Sequence, residues 1–154
     1  MRQLTPDEQK LLDTRIRDFN AFHEERMPVL VHFMEVLSMP EPAMVLLHAD
    51  RYLPPLDQWL QRQTISEEHR VWLLTRVTYF VGEYFVQRLN GYWLVNKYPE
   101  TRTFAGYVVG GFSKISNPNA MLDPFSIADE CLAEPPGRSL SKLIAEGERE
   151  LRKA

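Results

Sequence analysis

Apolar residues near the start of the chain recur at the three- and four-residue spacing of a helix, with Leu12, Ile16 and Phe19 on one face. Thr5-Pro6-Asp7-Glu8 precedes them as a start signal. Thr5 can cap, Pro6 suits the first helical position, and Glu8 closes a capping box. Pro28 lacks the amide that an interior helical bond needs, so a stop or kink is expected near Arg26–Met27. A second helical stretch should then run from about Pro28 to Leu37. Met39-Pro40-Glu41-Pro42 breaks the pattern, and short helical pieces are expected over about 42–50 and 55–63, divided by Pro54-Pro55.

The next start signal is Thr64-Ile65-Ser66-Glu67-Glu68, where a hydroxyl can cap and the acids suit the helix dipole. From there to Leu89 the pattern reads as one long central helix, ended by Asn90-Gly91. Val71, Leu74, Val81, Phe85 and Leu89 are its expected core side. Tyr92-Trp93-Leu94-Val95 and Tyr107-Val108-Val109 are aromatic and β-branched, the composition of strands. They predict an antiparallel pair that must pack on the helices or find a third strand. Asp123-Pro124-Phe125 opens a helix to about Leu132, and a last helix capped by Ser139 runs toward Arg152.

The fold class that follows is α+β: one helix-dominated domain over residues 1–154, with a small antiparallel hairpin or sheet packed on the long central helix. Helices fill 5–89, the strand pair about 92–112, and the C-terminal helices about 123–152.

Composition narrows the function. With 44% hydrophobic and 25% charged residues the chain can fold around a core, so disorder is not expected. A formal net charge of −3 gives no basic surface for nucleic acid. No apolar run reaches the roughly 20 residues that span a bilayer, and the N-terminus does not read as a signal peptide. The single cysteine, Cys131, excludes an internal disulfide and suits a reducing compartment. The expected location is the cytoplasm.

The leading candidate surface is geometric. Advancing about 100° per residue, His69, Glu83, Gln87 and Asn90 fall within about 40° of Arg76. Trp72, Tyr79 and Phe80 border this polar stripe. It reads either as the solvated face of a half-buried helix or as a recognition surface formed by Trp72, Arg76, Tyr79, Glu83 and Gln87. Trp, Tyr and Arg are the residue types enriched at binding hot spots. The alternative is a small-molecule or enzymatic pocket, aromatic-lined, in which Glu83 handles protons beside Tyr79 or Tyr84.

Other candidate chemistry is thinner. His32 and Glu35 share a turn but supply only two ligands where zinc takes three or four, so no metal and no cofactor is expected. Ser139-x-x-Lys142 lacks the companion motifs of penicillin-recognising enzymes, and Ser139 reads as a cap. Cys131 sits among carboxylates, which raise a thiol's pKa. Gly110-Gly111 lacks the context of a phosphate loop.

Gly82-Glu83-Tyr84, Trp93 and Asp123-Pro124-Phe125 resemble small uncharacterised bacterial proteins, over residues 75–135 or so. In these a Gly-Glu helix leads into a tryptophan-bearing strand and an Asp-Pro-Phe helix follows. Some such proteins look like immunity or accessory partners of toxins, and the resemblance implies no catalytic residue. The expectation is a protein-binding domain, with a cytoplasmic immunity protein that neutralises a toxin by direct binding as its specific form. Self-association through the aromatic surface is the third reading.

Overall fold

The computed structural model describes residues 2–153. Its five α-helices are α1 (Pro6–Val36), α2 (Ala49–Arg62), α3 (Glu67–Leu89), α4 (Pro124–Ala133) and α5 (Leu140–Lys153). Its strands are β1 (Tyr92–Val95), β2 (Tyr107–Gly110) and β3 (Met121–Leu122). The architecture is helix-dominated α+β, with one small sheet, as the pattern predicts. No helix among the described residues is long and apolar enough to cross a membrane.

Local chemistry sets most helix starts. Thr5 and Glu8 form the capping box, with each side chain bonded to the other's backbone amide. Ser66 accepts from the His69 amide, Asp123 from Phe125, and Ser139 from Lys142. Asn90 ends α3 in the left-handed conformation, at φ 54°.

The helix breaks expected at the prolines are corrected. α1 is continuous through Pro28, and α2 is continuous through Pro54 and Pro55. The carbonyls these prolines leave unpaired belong to Glu24, Asp50 and Arg51, four residues back. All of these residues and all three prolines are exposed, so water can take the missing bonds. Arg26 Nη1 adds a bond to the His23 carbonyl at 2.9 Å, bracing the turn before Pro28. The stretch expected to be helical over 42–50 is instead a 3-10 turn, Pro42–Leu46, before α2 begins.

α3 is the axis of the molecule. α1, α2 and α4 pack around it, and the sheet lies against it; α5 joins α2, α4 and β3. Val81, Phe85 and Leu89 are fully buried, as expected, but Leu74 is only half-buried and Val71 is 71% exposed. In the first half of α3 the core lies on the Leu73–Val77–Phe80 side. Val71 stands about 160° round the helix from Leu73 and therefore faces solvent.

The strand order is β1-β2-β3, antiparallel, with Tyr92 opposite Gly110 and Val95 opposite Tyr107. β3 pairs Leu122 with Val109, supplying the third strand that a lone hairpin needs. Trp93 locks the sheet to α3 at Gly82, where a Cβ would lie 1.8 Å from the indole. Only glycine admits that approach.

Candidate functional site

The polar stripe of α3 divides in the middle. Trp72 and Arg76 stay half-buried at the surface. The Arg76 guanidinium lies 4.0 Å above the Trp72 ring, a cation–π contact, and its Nη1 donates to the Trp72 carbonyl at 3.0 Å. Desolvation lowers the Arg76 pKa from its ordinary value.

One turn further on, α1 covers the stripe. Tyr79 is buried, and its hydroxyl donates to the Phe22 carbonyl of α1 at 2.8 Å. Burial, with Glu25 as the next contribution, pushes that phenol up to about 12. Glu83 is 4% exposed and accepts from Arg26 Nε, also on α1, at 2.7 Å. Gln87 donates to the Val45 carbonyl at 3.0 Å and accepts from the Ala49 amide at 2.7 Å, tying α3 to the 3-10 turn and to α2.

The expected recognition stripe is therefore corrected for Tyr79, Glu83 and Gln87, whose polar atoms bond to neighbouring elements. Tyr79 and Glu83 do share the side of α3 that meets α1, and what covers them lies far off in sequence. Glu83 is paired with Arg26, 57 residues away, and not with Arg76. The pocket alternative loses its acid for the same reason. A proton-handling carboxylate needs access to a substrate, and Glu83 is sealed under α1 by a guanidinium.

A different surface lies open beside it. β1 is an edge of the sheet, and a groove of about 720 Å³ runs between it and the first half of α1. Ile16 and Phe19 come from α1; all four β1 residues and Tyr98 line the other side. Since side chains of both sheet faces line it, the groove follows the strand's edge. Tyr92 is 59% exposed, Ile16 45% and Tyr98 39%. Lys97 is the one charged residue in the lining.

Register identifies the free backbone groups. The Asn96 amide donates to the Gly106 carbonyl at 2.9 Å, so Asn96 bonds toward β2. Alternation along an antiparallel ladder then turns Tyr92 and Leu94 inward and aims the N–H and C=O of Trp93 and Val95 outward. Behind the groove, Trp93 packs on an aromatic cluster: Phe22 of α1 lies at centroid distances of 5.1 Å from Trp93, 4.9 Å from Tyr79 and 4.4 Å from Tyr107. Ile16 and Phe19 carry a sequence signal as a helical stripe, but nothing local says that the strand beside them is an edge.

The remaining candidates are structural. Cys131 is buried within the core and its thiol is pushed up to about 12, chiefly by burial. Ser139 caps α5. His32 and Glu35 are both exposed on α1, and among the described residues no group of three His, Cys, Asp or Glu side chains converges as a metal site. Comparison of the chain with protein-family models, curated proteins and solved structures finds no match.

Proposed function

We propose that the chain is a non-enzymatic protein-binding domain that receives an extended segment of a partner protein along the open edge of β1. The observation that carries this reading is the groove itself, an unpaired strand edge flanked by the exposed Tyr92, Ile16 and Tyr98. An edge strand offers a row of unsatisfied donors and acceptors that an incoming strand can pair. Tyrosine supplies large contact area with few rotors to immobilise. The matching segment has apolar residues at alternate positions and an acidic residue opposite Lys97. The finer form of this proposal is a bacterial, cytoplasmic immunity protein that neutralises a toxin by direct binding; its support is the motif resemblance around Gly82-Glu83-Tyr84, Trp93 and Asp123-Pro124-Phe125.

The test is selection of extended segments from a displayed peptide library against the full chain, followed by mapping with amide chemical shifts. Selected segments should alternate apolar residues and perturb Trp93, Val95 and Ile16. Val95→Pro removes an outward amide without touching the β2 ladder and should weaken binding at least about tenfold while leaving the circular dichroism spectrum unchanged. Segments that map elsewhere, or that bind the proline variant equally well, overturn the reading. Concentration-dependent dimerisation through the same edge would replace the partner by a second copy. For the immunity form, co-expression with a toxin encoded beside the chain should restore growth, and the proline variant should fail to restore it.

A further inference from the structure

A second cleft, sharing no lining residue with the β1 groove, opens between α1, the β1–β2 connection and the start of α4. It encloses about 700 Å³. Its walls are aromatic: Phe22 and Tyr107 from the cluster beneath, and Phe125, which is 49% exposed. Arg15 and Arg102 reach into the lining, and both are exposed.

The charged hydrogen-bonding capacity left free in this cleft is cationic. Neither Arg15 nor Arg102 has a carboxylate partner among the described residues; Arg15 lies over the Tyr107 ring at 5.8 Å. The Thr103 hydroxyl accepts from Asn96 Nδ2 at 2.8 Å, which leaves its own proton free to donate. The one acid in the lining, Asp123, is already engaged. Its Oδ1 accepts from the Phe125 amide at 3.0 Å and its Oδ2 from Ser126 Oγ at 2.7 Å. The Tyr107 hydroxyl donates to the Arg15 carbonyl. What remains uncommitted around the aromatic faces is the two guanidiniums, the Thr103 hydroxyl proton and the buried, unpartnered Thr78 hydroxyl, which can donate or accept.

We propose that this cleft binds a small organic anion with a flat aromatic body, an aryl carboxylate or aryl phosphate. Guanidinium forks match the paired oxygens of either anion, and the ring of the ligand would lie against Tyr107 and Phe125. A pocket of this size holds a ligand of that class, with the apolar wall giving affinity and the few donors giving orientation.

The experiment is titration of the full chain with phenyl phosphate, benzoate, inorganic phosphate and benzyl alcohol, followed by amide shifts and calorimetry. At least one of the two aryl anions should bind with millimolar or better affinity and perturb Thr103, Gly106 and Ser126. Which one binds tighter separates the phosphate source from the carboxylate. Inorganic phosphate and benzyl alcohol should bind at least about tenfold more weakly, because each lacks one half of the recognition. Arg15→Gln and Arg102→Gln lie at exposed positions and leave the core untouched; each should weaken the aryl anion at least about fivefold, whereas Arg17→Gln should not. No aryl-anion binding up to about 10 mM overturns the site, as does binding indifferent to both cleft substitutions. Inorganic phosphate binding as tightly as phenyl phosphate overturns the aromatic half.

Discussion

Between α1 and α3, Glu83 is buried against a full opposite charge, Arg26. Where α2, α4 and α5 come together, Arg138 is just as deeply buried and meets only backbone. Its guanidinium donates to the carbonyls of Leu60, Gln63 and Glu134, the C-terminal ends of α2 and α4. Asp57 does the mirror-image work, accepting from the Leu140 amide at 2.7 Å at the start of α5. A helix end is a fractional charge held by many atoms, so a charged side chain there completes several unsatisfied groups at once. An ion pair completes one charge with one charge. The difference decides what each region loses when a single side chain is removed.

The largest loss should come from Arg26→Met. It strands the Glu83 carboxylate out of water, and breaking a buried pair typically costs about 3–5 kcal/mol. Urea unfolding of the single variant against Arg26→Met/Glu83→Leu isolates the cause, because replacing both partners with apolar residues should recover most of the stability. A double variant as unstable as the single one would mean that packing, and not the lone charge, governs this site. Arg138→Met should cost less, about 2–3 kcal/mol, since it leaves several carbonyls short of donors but no uncompensated charge. If its unfolding midpoint falls further than that of Arg26→Met, the contrast between the regions is reversed.

A smaller effect follows from His23, stacked on Phe19 at 5.7 Å and next to Arg26 in the same helix turn. Burial first and Arg26 second lower its pKa from the ordinary histidine value. Between the lowered folded value and the ordinary unfolded one, the unfolded chain holds the extra proton. Stability should therefore be complete above the ordinary histidine range and decline as pH falls through it. His23→Gln should flatten the slope of stability against pH between about 5 and 7. An unchanged slope would assign the titration to another group.

Much of this architecture is legible locally. Thr5, Ser66, Asp123 and Ser139 announce helix starts because a cap bonds within three residues of itself, and Asn90 announces an end for the same reason. β3 is not legible, since two residues carry no period. The prolines mislead because their effect depends on which way the orphaned carbonyl faces, and that is a tertiary fact. The α3 stripe shows both sides of this boundary. That Tyr79 and Glu83 stand about one turn apart follows from counting, but their burial follows from Phe22 and Arg26, whose positions over them no local pattern contains. The β1 edge is hidden likewise, because strand order depends on where a distant β3 joins.

The contact between Gly82 and Trp93 also has a consequence in time. With an indole laid on bare helix backbone, solvent reaches the amides of that turn only after the sheet has lifted away from α3. Their deuterium uptake should thus report undocking of the sheet instead of fraying of the helix, and should keep pace with the whole domain's opening. Faster uptake at residues 82–86 than at the buried positions of β2 would show that the helix opens while the sheet stays in place.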